Sequence, residues 1–302
     1  MSDRSIAAAR KTMVDELVAR RIIRTPAVER AFRSVPRHAF LPEPFVLPTN
    51  PLLTEVVETS DPCRVYADTL VMVKREKSIN CGAPSVCAAQ LEQLAPAEGM
   101  RVLHVGTGSG YYTAILAELV GERGTVVGIE YEPDLVEMSA AHLAGAGYTN
   151  VTVLEGDGAA GIPEAAPFDR ILVSAGCADI ASAWVAQLGD DGRLVFPLCH
   201  ASVLGPHITS GAMLTVQKVD TRLWAEFLGP VVFVAMQGML QPAGNQAPLA
   251  DALQRWFALE EFLRTELPIR ILMKPADAPV PQQSSVPWLL ETANAFMWVE
   301  TN

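Results

Sequence analysis

The chain has 302 residues, half of them hydrophobic, with a formal net charge of −11 and five cysteines in no CxxC pair. That length supports one large core, with or without an appended subdomain, and an acidic balance without a long basic tract argues against a nucleic-acid groove, where cationic contacts to phosphate dominate. The cysteines read as free thiols of a reducing compartment rather than a disulfide framework or metal site; neither MSDRSIAAARK nor the interrupted apolar stretch LGPVVFVAMQGML offers a signal peptide or membrane span, so a soluble cytoplasmic protein is expected.

Residues 8–24 carry Met13, Val14, Leu17, Val18 and Ile22 at helical spacing. Thr25-Pro26 then reads as an N-cap followed by proline in the first turn. Val28, Ala31, Phe32 and Val35 line one face of a second helix, which Pro36 ends. Residues 41–63 are proline-rich with few periodic signals and read as a surface loop. Pro84 starts a third helix over 84–94. From residue 101 short runs rich in Val, Ile and Leu (RVLHV, TVVGIE, VTVLEG, FDRILVSAG, GRLVFPL) enclose helical segments at 109–120, 133–144 and 179–188. Strands apolar on both faces, alternating with helices, predict a parallel sheet covered on two sides. MLTVQKV and GPVVFVAM follow without a helix between them and predict an antiparallel hairpin at the sheet edge. In the last 62 residues ADALQRWFALEEFLRTEL reads as a helix, LPIRILM as a strand and DAPVPQQSSVP as a connector. The expected division is 1–76 as an N-terminal helical, substrate-side region, 77–240 as a cofactor-binding core and 241–302 as an α+β extension.

Gly106-Thr107-Gly108-Ser109-Gly110 follows the first of those core strands and opens a helix. A strand that turns tightly into a helix beside a bound ligand needs residues without a β-carbon. The dinucleotide pattern GxGxxG would require glycine at 111, where Tyr111 stands. Glu130 ends the second core strand, placed to accept from both ribose hydroxyls, and Asp157, in GDG after the third, to accept from an adenine amino group. Turn, acid and acid in that order point to a nucleoside without a pyrophosphate, S-adenosyl-L-methionine, with S-adenosylhomocysteine as product. A structural turn with two surface carboxylates is the competing explanation.

From about residue 13 to 236 the chain resembles the protein L-isoaspartate O-methyltransferases. VERAFRSVPRHAFLPE is similar to that family's N-terminal helix and its VPRH-FVP signature, Tyr66-Ala67-Asp68 to its Y-x-D, and VLHVGTGSGYYTAILAELVG to its first motif. YTNVTVLEGDGAAGIPEAAPFDRILVSAG resembles the second and third motifs, and GRLVFPL its G-G-R-L-V-x-P strand. The resemblance implies a Rossmann-like, seven-stranded class I methyltransferase fold of the α/β class. It puts Gly106, Gly108 and Gly110 at the methionine end of the cofactor, Glu130 at the ribose and Asp157 at the adenine. Ser78, His104, Thr107, Ser109, Tyr131 and Gly158 complete the expected cofactor residues. Two departures stand out. The family usually has an acid where His104 stands. Its T-I-S-A-P becomes N-C-G-A-P, or Ser78-Ile79-Asn80 with Cys81-Gly82 inserted, and in both alignments the serine beside the transferred methyl is gone.

Methyl transfer from a sulfonium to a carboxylate is a direct displacement, and the acceptor, with a pKa of about 4, is already ionised. It needs alignment and a dry site, not a general base or a covalent intermediate. Asn80, Cys81, Gly82 and Ser85 are therefore the expected residues at the reacting end, with Cys81 a lining thiol rather than a nucleophile because no histidine partners it. Tyr66, Asp68, Ala83 and Pro84 are expected on the substrate side. The resemblance implies an aspartate or isoaspartate of a peptide or protein as the acceptor. Pro84-Ser85 and the long tail resemble family branches acting on modified ribosomal peptides, where the ester closes to an aspartimide. A small-molecule natural-product methyltransferase and a non-catalytic nucleoside-binding protein are the alternatives.

Overall fold

The computed structural model describes residues 3–50, 55–202, 207–219, 222–242, 270–273 and 297–300. The N-terminal apolar spacing winds into α1 (Asp3–Ala19), which buries Met13, Val14 and Leu17. Thr25, in extended conformation, caps α2 (Pro26–Ser34) by accepting from the Val28 amide at 3.4 Å. The cap is itself anchored from α3 (Pro84–Leu94): Glu92 accepts from the Arg24 and Thr25 amides at 2.8 and 2.9 Å. The buried face of α2 carries Phe32, whose ring meets those of Tyr111 and Tyr112 on α4 (Tyr111–Val120), each centroid 6.5 Å away.

The proline-rich stretch expected as a loop contains two short strands, β1 (Phe45–Pro48) and β2 (Val56–Thr59). With β3 (Val71–Lys74) and β4 (Ile79–Cys81) they form an antiparallel sheet in the order β2-β1-β3-β4. Four residues give only two inward positions, Phe45 and Leu47 in β1, too few to register as a period of two.

The chain divides into two compact units, Met1–Gly156 and Asp157–Asn302. In the first, β5 (Arg101–Val105), β6 (Thr125–Glu130) and β7 (Val151–Glu155) run parallel and side by side. They are joined by α4 and by α5 (Pro133–Gly145). α4 is buried at every position but Glu118, as expected for a crossover packed between layers.

In the second unit β8 (Phe168–Val173) leads through α6 (Ser182–Gln187) into the long β9 (Leu188–Ser202), parallel to β8. The buried Trp184 of α6 fixes that crossover: its indole N–H donates to the Gly158 carbonyl at 2.8 Å and its ring meets Phe196 of β9 edge-on. The expected hairpin forms as β10 (Ile208–Val219) and β11 (Arg222–Val234), longer than the apolar runs because a bulge at Met213/Leu214 carries the pairing on. It does not lie at the edge, since β12 (Arg270–Met273) pairs with β11 and β13 (Met297–Glu300) with β12. β12 falls on the expected strand LPIRILM; the expected C-terminal helix and connector lie outside the described residues. Among the described residues no helix is long and apolar enough to cross a membrane.

Phe32→Ala would empty an aromatic-lined site and should destabilise the chain by about 3–5 kcal/mol in urea unfolding, with the slope against denaturant unchanged. A loss under 1 kcal/mol would mean the α2–α4 contact is not part of the core.

Candidate active site

At the end of β5 the chain turns through Gly106, Gly108 and Gly110, all at positive φ, +82°, +54° and +90°. A side chain at Gly110 would be strained by that φ and would press on Ser139 of α5 at 3.2 Å, so the turn is bound to glycine there. Thr107 and Ser109 are buried in the turn, the first with its hydroxyl 3.4 Å from that of Ser139, the second with its carbonyl accepting from His142 Nδ1 at 2.9 Å. The Gly108 amide donates to Glu130 Oε2 at 2.8 Å, while Oε1 accepts from the Tyr131 and Glu132 amides at 2.9 and 3.3 Å. Burial pushes the Glu130 carboxyl up from its ordinary value, and the three amides work against that shift. Tyr131, beside it, is 46% exposed.

His104, on β5, is almost wholly buried, its Nδ1 2.9 Å from the Thr113 hydroxyl of α4. Burial pushes its pKa down to about 3, so the imidazole is neutral at physiological pH. Where the resemblance has an acid, this chain has an uncharged ring tethered to a helix.

The stretch from Lys74 to Ser85 forms a second constellation in the same unit. Lys74 pairs with Glu132 at 2.7 Å and with Asp134 at 2.8 Å, and Lys77 bonds the other Glu132 oxygen. Asp134 and Glu132 hold the Lys74 ammonium well above its ordinary range. Ser78 turns through the left-handed region at φ 57°, and the Asn80 side-chain amide donates to its carbonyl at 3.0 Å. Cys81 is buried. Ala83 is the extended residue before Pro84, the first residue of α3. The Ser85 amide donates to Asp68 Oδ1 at 2.9 Å, and Asp68 Oδ2 takes Arg20 at 2.6 Å. Burial opposes ionisation of Asp68, yet Arg20 and the Ser85 amide hold its carboxyl below the usual range. The N-terminus of α3, where the helix dipole favours an anion, is thus occupied at Ser85 by a carboxylate of the chain itself. Tyr66 is buried with its hydroxyl 2.7 Å from His38 Nδ1.

Arg37 is the residue that the sequence pattern missed. Fully buried after Pro36, it grips backbone carbonyls in both the 65–69 segment and the Cys81-Gly82 turn. A single arginine carries no spacing signal, and backbone partners have no identity in a sequence.

In the second unit Asp157 caps a single 3₁₀ turn, its Oδ1 accepting from the Ala159 amide at 2.9 Å; Oδ2 accepts from the Met239 amide at 2.8 Å. Gly238, at φ +91°, lies against that carboxylate so closely that a β-carbon there would collide with it. Gly158 is buried, its carbonyl taken by Trp184. Asp179, beyond the end of β8, was also missed; burial pushes it up to about 6, with the Ile180 amide bonded at 2.7 Å.

Residues 8–240 match the family described as protein-L-isoaspartate(D-aspartate) O-methyltransferase (PCMT). A protein-L-isoaspartate O-methyltransferase of Methanococcoides burtonii is 35% identical over 213 residues, 70% of this chain and 92% of that protein. One from Methanopyrus kandleri is 37% identical over 197 residues, 65% and 79% of the two chains. A solved structure named protein-L-isoaspartate O-methyltransferase superposes with a TM-score of 0.64 at 26% identity, covering 77% of this chain and 67% of that one. A Plasmodium falciparum structure in complex with S-adenosyl-L-homocysteine shares the fold, with a TM-score of 0.55 at 20% identity over 77% of this chain and 97% of that one.

Above pH 6.5 neither the folded nor the unfolded chain is protonated at His104; between 6.5 and about 3 only the unfolded chain is. Stability therefore falls as pH drops through that window, by about 1.4 kcal/mol per unit from this residue. His104→Gln should reduce the loss of unfolding free energy between pH 6.5 and 5 by about 2 kcal/mol in urea titrations. Equal losses in variant and parent would remove His104 as the cause.

Proposed function

Because the chain belongs to the protein-L-isoaspartate(D-aspartate) O-methyltransferase family, and so is an S-adenosylmethionine-dependent O-methyltransferase, we propose that it methylates the side-chain carboxylate of an aspartate or isoaspartate in a peptide or protein. The observation that carries the site assignment is Glu130. An ionised carboxylate offers about four lone-pair positions; three are used by backbone amides, which leaves acceptor capacity for a sugar hydroxyl while the ring of amides fixes its direction. The open space at Gly108, where a β-carbon would meet nothing within 4 Å, suits the approach of a ligand to that backbone. Gly106, Thr107, Gly108, Ser109 and Gly110 would then hold the amino-acid end, Glu130 and Tyr131 the ribose side, and Asp157 with Gly158 the adenine. Ser78 and His104 complete the shell.

When bound, S-adenosylmethionine supplies a sulfonium methyl. The chain's own part is alignment and exclusion of water, since an acceptor with a pKa of about 4 arrives as an anion. Asn80, Cys81, Gly82 and Ser85 would line the reacting end, and Tyr66, Asp68, Ala83 and Pro84 the peptide side. Asp68, held ionised by Arg20 and Ser85, would keep the start of α3 in register rather than take a proton.

In its narrower form the substrate is a modified ribosomal peptide whose ester closes to an aspartimide. The Pro84-Ser85 pair and the 62 residues beyond the family match, which ends at 240, support this form. The end of the match at 240 is in keeping with 241–302 as an extension, and within the match 1–76 is proposed as the substrate-side region and 77–240 as the cofactor core. Five free thiols are in keeping with a cytoplasmic protein.

Incubation with S-adenosylmethionine and an isoaspartyl peptide should add ~14 Da to the peptide, and imide closure should then remove ~32 Da. No gain on aspartyl, isoaspartyl or modified peptides would refute the reading. Glu130→Ala should weaken cofactor binding by about 10- to 100-fold in calorimetry, from the loss of one charged hydrogen bond. Unchanged affinity would refute the site assignment alone.

A further inference from the structure

Arg37 is wholly shielded from solvent. Buried guanidinium groups are ordinarily met by a carboxylate, but here the partners are main-chain carbonyls and the Cys81 Sγ, 3.8 Å from Nη2. Nη1 donates to Val65 O at 2.6 Å and Ala67 O at 3.4 Å; Nη2 donates to Thr69 O at 3.0 Å, Cys81 O at 3.2 Å and Gly82 O at 2.9 Å. Nε has no partner among the described residues, and the Tyr111 ring lies 5.9 Å from the charge. An apolar side chain would leave these carbonyls without their donor, so the arginine is tied to the shape of the backbone it holds.

The geometry of the two last carbonyls gives the reason. In an extended strand consecutive carbonyls point to opposite sides, yet Cys81 O and Gly82 O both turn to the same guanidinium nitrogen. Both peptides are trans. In a planar trans peptide the N–H points opposite to its C=O, so the amides of Gly82 and Ala83 both turn away from Arg37. Gly82 and Ala83 are both partly exposed. Tyr112 reinforces the arrangement, its hydroxyl donating to Gly82 O at 2.8 Å. Two neighbouring N–H groups turned to one side make a donor pair for an anion, at the position that, in the alignment anchored on Pro84, has glycine in place of the family's serine.

We propose that Arg37 is the positioning residue of the methyl-acceptor loop, and that by gripping the Cys81 and Gly82 carbonyls it aims the Gly82 and Ala83 amides at the acceptor carboxylate. This rests on the carboxyl-methyltransferase reading above. The amides take over the task of the absent serine hydroxyl, and the fork of the guanidinium is required because a lysine ammonium has three donors and no fixed plane.

The test compares parent, Arg37→Lys and Tyr112→Phe by calorimetric affinity for S-adenosylmethionine, steady-state methylation of an isoaspartyl peptide, and hydrogen exchange over residues 79–85. Arg37→Lys should bind the cofactor within about twofold of the parent, showing that it is folded, while kcat falls about 100-fold, the scale expected from misplacing a reacting group by an ångström. Exchange in 79–85 should quicken. Tyr112→Phe, which keeps the ring and loses one bond to the same carbonyl, should lower kcat severalfold, and it decides the matter if Arg37→Lys does not fold. Parental kcat and exchange in a folded Arg37→Lys, or parental kcat in Tyr112→Phe when the other variant is lost, overturns the inference. An inactive parent that still binds the cofactor overturns the functional reading instead, and the acceptor role of the amides with it.

Discussion

The Glu130 carboxylate at the end of β6 braces the glycine turn at the end of β5 with one oxygen and the β6–α5 turn with the other. The turn cannot be braced by its own side chains, because three of its five residues have none. Glu130 supplies the missing restraint from the neighbouring strand, accepting from the Gly108 amide on one oxygen and from its own following amides on the other. A strand end, a turn and the start of α5 are thereby tied through one side chain, with the charge kept in a nearly closed environment where its interactions are strong.

The β6–α5 turn connects to the loop at 78–85 by a second set of charges. Glu132 follows Glu130 by two residues and takes both Lys74 and Lys77, which stand immediately before Ser78. Motion of the loop at 78–85 and motion of the β6–α5 turn are therefore linked by ion pairs in which Glu132 is almost entirely withdrawn from water, and such pairs are screened little by salt. From the opposite side Asp68 secures Ser85 and Arg37 secures Cys81 and Gly82. The loop is rich in small residues, and its shape comes from neighbours rather than from its own packing.

What could be read directly from the sequence was what depends on local chemistry. Thr25-Pro26 announces a capped helix because both residues act on the adjacent backbone, and β5, β6 and β8 show as apolar runs because both their faces are largely covered, whereas β7, an edge strand of similar composition, is not. The glycine turn, Glu130 and Asp157 stand out by residue type at strand ends. β1 and β2 were illegible, being four residues each amid prolines, and the reach of the β10–β11 hairpin was hidden by its bulge and by polar positions. His104 was visible as a departure, but its neutrality follows from burial and from Thr113, nine residues away. Arg37 was hidden for a deeper reason: its meaning lies in five carbonyls contributed by two separated segments.

Asp157 is held in place by a segment far along the chain. Its outer oxygen is met by the Met239 amide, more than eighty positions downstream, through a bend that only glycine at 238 can make without striking the carboxylate. Shortening the polypeptide ahead of Gly238 would strip that oxygen of its donor, and drift at 238 would be felt first at an acid with which it shares no neighbourhood in sequence. The length of chain needed to hold the Asp157 carboxylate in place therefore extends past the end of β11.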